Sequence, residues 1–125
     1  MCKTLLVIDD ALIIREMIKD AATEAGWEIA GEAVNGQDAI DKYQELKPDA
    51  VTLDMVMPDY DGIHALRGII QADPQARVCV VSALDQTKIL KEAFKIGAAD
   101  FIVKPFDKNN LVDTLAHMVE SSDDI

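Results

Sequence analysis

Basic side chains are in short supply in this chain, where 12 Lys and Arg face 23 Asp and Glu for a formal net charge of -11. A field of that sign repels phosphate backbones and anionic lipid surfaces. Direct nucleic-acid binding and membrane docking are therefore not expected, and partners should be proteins or cations. Cysteine is nearly absent: Cys2 is close to the terminus, Cys79 lies in an apolar run, and no C-x-x-C pair exists. Two free thiols are expected, with neither a disulfide nor a thiolate metal site. No apolar run approaches the ~18 residues a bilayer span needs. The opening stretch is cut off by Asp9-Asp10 too soon to serve as a secretory signal, so a cytoplasmic protein is expected. Repeats, linkers and low-complexity segments are missing too, and 125 residues suit one domain, 1–125, with a real core.

What is present is a regular alternation of short apolar runs and amphipathic stretches. Residues 4–8 form a β-branched and Leu run that ends at Asp9-Asp10. Ile14, Met17, Ile18, Ala21 and Ala25 follow at helical spacing until Gly26 stops them. A weaker strand over residues 27–34 leads through Asn35-Gly36 to a helix carrying Ala39, Ile40, Tyr43 and Leu46, broken by Lys47-Pro48. Residues 50–53 make the third strand and run straight into Asp54, after which a segment with Pro58 and Gly62 must turn. A helix to about residue 72 shows Ile63, Leu66, Ile69 and Ile70, and residues 78–81 are the fourth strand, tipped by Ser82-Ala83. A helix over residues 85–96 closes at Gly97, and residues 101–103 are the fifth strand, leaving through Lys104-Pro105. Asp107 caps a last helix with Leu111, Leu115 and Met118 on one stripe, and residues 121–125 read as a frayed acidic tail.

Five strand–helix units of this length call for a parallel sheet with right-handed crossovers and helices on both faces. The expected fold class is α/β, a flavodoxin-like, doubly wound (βα)5 domain with strand order 2-1-3-4-5. Its topological switch point falls between the first and third strands, which end in Asp9-Asp10 and Asp54. Ligands in open α/β sheets bind outside the carboxyl ends of the strands, at such a point. Three carboxylates meeting there cannot all stay ionised and unpaired, and a hard divalent cation resolves the conflict. The other strand tips add the Ser82 hydroxyl and the Lys104 ammonium, which completes an inventory suited to phosphoryl transfer. Taken singly, each residue has a plainer use: Asp54 as a turn residue, Asp9-Asp10 as helix caps, Lys104 as a surface lysine. The functional reading rests on all five falling at the ends of four different strands.

The segments Ile8-Asp9-Asp10, Leu53-Asp54-Met55-Val56-Met57-Pro58, Gly62, Val81-Ser82-Ala83 and Phe101-Ile102-Val103-Lys104-Pro105-Phe106 resemble the response-regulator receiver domain, in the same order and over the whole chain. The resemblance is strongest to stand-alone, CheY-type chemotaxis receivers. It implies a phosphoacceptor signalling domain that assists its own phosphorylation and dephosphorylation, not an enzyme in its own right. Asp54 would take a phosphoryl group from a sensor histidine kinase. Mg2+, with Mn2+ able to substitute, would be held by Asp10, by Asp9 through water, by Asp54 and by the backbone carbonyl of Val56. Lys104 would pair with one phosphoryl oxygen and Ser82 with another, and Phe101 would turn inward into the space Ser82 vacates. Lys104-Pro105 would be a cis bond. The switched face of the fourth helix, fifth strand and fifth helix would bind a downstream protein, either a flagellar motor switch or a phosphorelay protein, with the receiver itself a monomer. A phosphorelay intermediate and a receiver excised from a longer transcriptional regulator remain alternatives. A Mg-dependent phosphatase with an Asp nucleophile is a distant one, because its Asp-x-Asp motif would need an acid at Val56.

Lys88, Lys91 and Lys95 share one face of the fourth helix in an acidic chain, either as a solvated face or as a partner face. His64 and His117 lack a second ligand and read as ordinary polar positions, Trp27 as packing at a strand edge, and Met55 and Met57 as loop packing. Val56 and Leu84 flank the expected phosphoryl site with apolar groups that cannot orient a hydrolytic water. Exchanging both for Asn should shorten the lifetime of the phosphorylated protein, on the order of severalfold. Mass spectrometry after removal of the phosphodonor reads that lifetime, and an unchanged value would contradict the expectation.

Overall fold

Strict alternation in the first strand sends Leu6 and Ile8 to one face of the sheet and Leu5 and Val7 to the other, with all four buried. The computed structural model describes residues 3–55, 57, 61–83 and 86–123. Its elements are β1 Thr4–Ile8, α1 Leu12–Glu24, β2 Glu28–Ala33, α2 Gly36–Leu46, β3 Ala50–Asp54, α3 Asp61–Ala72, β4 Val78–Ala83, α4 Thr87–Ile96, β5 Asp100–Lys104 and α5 Lys108–Asp123. The strands form one parallel sheet in the order β2-β1-β3-β4-β5, which is the expected flavodoxin-like topology.

Each face of the sheet has its own core. On one side, Leu6, Ile8, Val51, Leu53, Val78 and Val80 pack against Ala39 and Tyr43 of α2, Leu66 and Ile69 of α3 and Ala93 of α4. On the other, Leu5, Val7, Cys79 and Ile102 meet Ile18, Ala21 and Ala22 of α1 and Leu111, Leu115 and Met118 of α5. Complete burial of side chains such as Leu53, Leu66 and Leu115 contributes roughly 1.5–3 kcal/mol apiece. The two central strands, β1 and β3, are in register through Ile8 and Leu53, so the chain leaves them side by side at Asp9 and Asp54. The opposite edge is closed by a reciprocal pair: the Thr4 N–H donates to Asp49 Oδ2 at 2.7 Å, and the Asp49 N–H donates to Thr4 Oγ1 at 3.1 Å.

Several boundaries follow from local chemistry. Asn35 caps α2 by accepting from the Asp38 N–H at 2.9 Å, and Asp107 caps α5 by accepting from the Asn110 N–H at 2.7 Å. Gly26 and Gly97 end α1 and α4 with positive φ of 98° and 139°. β4 and β5 run longer than the apolar runs alone suggest, because Ser82, Ala83 and Lys104 still pair in the ladder. α5 takes in residues 121–123, the first part of the segment read from the sequence as a tail. Three side chains assigned to buried stripes are instead exposed: Met17 at 46%, Leu46 at 36%, and Ala25 at the C-terminal end of α1. In α1 the buried side is centred on Ile18, Ala21 and Ala22, which leaves Met17 on the outer flank. Trp27 is buried just before the edge strand β2, and Met55 and Met57 are buried beneath α3. His64 and His117 are exposed on α3 and α5. Among the described residues no helix is long and apolar enough to cross a membrane.

Cys79 is fully buried and reduced; Cys2 lies outside the described residues. Burial, with a smaller contribution from Asp100, pushes the Cys79 thiol far above its ordinary pKa, so the reactive thiolate is suppressed. In a Cys2→Ser background, an aromatic disulfide reagent should modify native protein on the order of a hundredfold or more slower than urea-unfolded protein. Absorbance of the released thiolate reads the rate, and comparable rates in both states would contradict the packing of Cys79.

Candidate functional site

The carboxyl ends of β1, β3, β4 and β5 lie together; β1 leads into Asp9 and Asp10, and the other three contribute one polar group each. Asp9 and Asp54 are buried to 1% and 3% exposure, whereas Asp10 is exposed. One carboxylate oxygen from each of the three lies within 4.8 Å of the others. Lys104 reaches into this cluster from β5, its Nζ 3.2 Å from Asp9 Oδ2 and 3.5 Å from Asp54 Oδ2. It can do so because β4 ends in the small residues Ser82 and Ala83, paired with Val103 and Lys104. A bulkier tip would block a lysine that must cross one intervening strand, on the order of 10 Å between β5 and β3. The Lys104–Pro105 bond is cis.

Asp9 is fixed from two sides. Its Oδ1 accepts from the Ala11 N–H at 2.8 Å, which leaves Oδ2 for Lys104. Arg15 donates from Nη1 to the Asp9 carbonyl at 2.8 Å and from Nε to Glu32 Oε1 at 2.9 Å, tying α1 to β2. Lys19 and Arg15 together hold the Glu32 carboxyl below its ordinary range, with the Lys19 hydrogen bond the larger cause. At the exit of β3, α3 packs so closely that a Cβ on Gly62 would lie 2.6 Å from Met55 Cα and 2.8 Å from the Asp54 carbonyl oxygen. Only glycine allows that approach, and it holds the backbone around Asp54 against the helix.

The cluster fits a hard divalent cation. Oxygens on opposite sides of a Mg2+ octahedron lie about 4.2 Å apart, so carboxylates within 4.8 Å close on such an ion with small shifts. Without it the three carboxylates crowd one another, and unit charges about 4 Å apart repel by roughly 4 kcal/mol at an effective dielectric of ~20. Exposed Asp10 keeps the site open to water and to an incoming ligand. Val56, whose carbonyl belongs to the expected ligand set, and Leu84 lie outside the described residues.

Two further groups stand beside the cluster. Ser82 Oγ is buried with no hydrogen-bond partner among the described residues, as is Thr52 Oγ1. Phe101 points outward, 42% exposed, and meets Phe94 of α4 edge-on, with ring centroids 5.9 Å apart at 90°. Phe94 escaped the sequence reading, because its role depends on the contact with Phe101 on another element. Leu12 and Ile13, exposed at 62% and 71% at the start of α1, escaped it as well. Their signal was an excess: Leu12, Ile13, Ile14, Met17 and Ile18 are more apolar residues than one helix face can bury. Lys88, Lys91 and Lys95 stand well away, along α4 on the side facing α3.

Residues 5–116 match the family described as response regulator receiver domain. The chain is 50% identical over 115 residues to the chemotaxis protein CheY of Thermotoga maritima, covering 92% of this chain and 96% of that one. Among solved structures, the response regulator domain of Thermotoga maritima CheB superposes with a TM-score of 0.84 at 32% identity, covering 100% of this chain and 98% of that one. CheY in the CheX–CheY–BeF3–Mg2+ complex from Borrelia burgdorferi gives 0.83 at 34% identity, over 96% of this chain and 88% of that one.

A buried hydroxyl without a partner costs stability, so Ser82→Ala and Thr52→Val should each raise it, by about 1 kcal/mol. Urea unfolding followed by circular dichroism measures both. Loss of stability in the two variants would mean that these hydroxyls have partners after all.

Proposed function

The chain belongs to the response regulator receiver domain family as a CheY-type response regulator of chemotaxis, and we propose that it is switched by phosphorylation of Asp54. An Asp54 carboxylate oxygen attacks the phosphorus of a phosphohistidine on a sensor histidine kinase. The P–O bond forms as the P–N bond breaks, and the imidazole leaves with the bonding electron pair. What carries this reading is the position of Lys104, bridging two buried carboxylates beside a buried hydroxyl that has no partner among the described residues. That ammonium is already placed to exchange a carboxylate for a phosphoryl oxygen, and the Ser82 hydroxyl has a donor to offer a second one.

Asp9, Asp10 and Asp54, with the Val56 carbonyl, would hold Mg2+ or Mn2+, which when bound supplies charge neutralisation to the phosphoryl oxygens. The chain's own residues do the remainder: Asp9 stays oriented by Ala11 and Arg15, Gly62 keeps the Asp54 backbone close to α3, and Lys104 balances charge. When Ser82 turns toward the phosphoryl group, the space behind it admits Phe101, which leaves Phe94. The face of α4, β5 and α5 then changes shape, and a downstream protein reads it in the cytoplasm, a flagellar motor switch or a phosphorelay protein. Exposed Leu12, Ile13 and Met17 beside Asp10 suit a protein donor, which would cover them during transfer. The receiver accelerates its own transfer and hydrolysis steps and acts on no separate substrate.

Incubation with Mg2+ and acetyl phosphate should add the mass of one phosphoryl group to the wild-type chain and none to Asp54→Asn. Ser82→Ala should still be labelled, on the order of tenfold more slowly. Labelling of Asp54→Asn at the wild-type rate, or a wild-type chain that gains no mass, would overturn the reading.

A further inference from the structure

The helices α3 and α4 enclose a groove of about 770 Å³ whose chemistry is opposite to the rest of the molecule. Arg67 of α3 and Lys88, Lys91 and Lys95 of α4 line it, so a third of the 12 basic side chains of a chain carrying -11 are gathered in one place. Glu92 is the one acid in the lining, and Arg67 occupies it at 3.0 Å. Lys88, Lys91 and Lys95 enter no ion pair among the described residues, whereas Lys19, Lys42, Lys104 and Lys108 all do. Ile70 and Ile96 form an apolar floor between the cationic rims.

We propose that this groove is a docking site for an acidic amphipathic segment of a partner protein, separate from the phosphorylation site and from the Phe101 face. Acidic side chains of the segment pair with the lysines on the rim while its aliphatic side chains cover Ile70 and Ile96. The distribution of charge decides against the other occupants. A nucleic acid extends beyond the groove and meets the acidic surface around it, whereas a short peptide confines its charge to the cationic rim. A second copy of this chain brings its own -11 toward the first. α4 therefore serves two sides: Phe94 faces β5 and contacts Phe101, while the lysines face α3. Docking on the α3 side raises the local concentration of a partner without using the surface that phosphorylation remodels.

The test uses the full, unphosphorylated chain, so its outcome is independent of what happens at Asp54. The probe is a fluorescein-labelled helical peptide of Glu with Leu at every third and fourth position, read by fluorescence anisotropy. Binding should weaken with added salt and fall about tenfold or more in K88E/K95E, while K47E, on the surface away from the groove, binds as wild type. The far-ultraviolet circular dichroism spectrum and urea midpoint of K88E/K95E should match those of wild type, so that its weaker binding reports the groove and not misfolding. Four results would overturn the proposal: no binding of the acidic peptide, equal binding by K88E/K95E, complete displacement by millimolar inorganic phosphate, or a concentration-dependent dimer abolished by K88E/K95E.

Discussion

Repulsion among three carboxylates at the ends of the two central strands is the constraint on which the rest of the molecule turns. The sheet order places β1 beside β3, and their register brings Asp9 and Asp54 out at the same height. Nothing in the core asks for acids there; the fold accommodates them through Lys104. That accommodation reaches far into the sequence. β4 must end in small residues for Lys104 to cross it, Asp9 must turn one oxygen to Ala11, and Arg15 must secure the Asp9 carbonyl. Three carboxylates within 4.8 Å of one another concentrate negative charge, which a divalent cation could neutralise.

The same tension links the site to the surface. Ser82 Oγ is held in the interior without a partner among the described residues, a state that a hydroxyl leaves readily when an acceptor arrives. Phe101 sits next along the sheet on β5, outside and half-exposed, resting on Phe94. A polar group with no partner among the described residues and an aromatic ring incompletely buried outside are both poorly satisfied, and the proposed switch would relieve the two together. Few interactions have to be broken, which is the property a switch of modest free-energy difference requires.

Much of this was legible in the residues. The alternation of apolar runs with helical stripes yields the strand order, because five βα units of this length have few ways to pack. Asp9, Asp10, Asp54, Ser82 and Lys104 were found because they break apolar runs at strand ends, where a core strand has no use for them. Other features could not be read so. Phe94 and Arg67 matter through contacts with other elements, Phe101 and the α3–α4 groove, which sequence spacing does not encode. Met17 was assigned to the core because helical periodicity fixes a stripe but not its centre, and here the stripe is centred on Ile18, Ala21 and Ala22. The partnership of Lys104 with Asp9 spans 95 positions and depends wholly on the sheet.

The claim that charge at Asp54 moves Phe101 is tested most directly by nuclear Overhauser contacts between the rings of Phe94 and Phe101. They should be strong in the unphosphorylated chain, vanish when it is held phosphorylated by Mg2+ and acetyl phosphate, and persist under the same conditions in Asp54→Asn. Contacts that survive full phosphorylation of Asp54 would contradict the account.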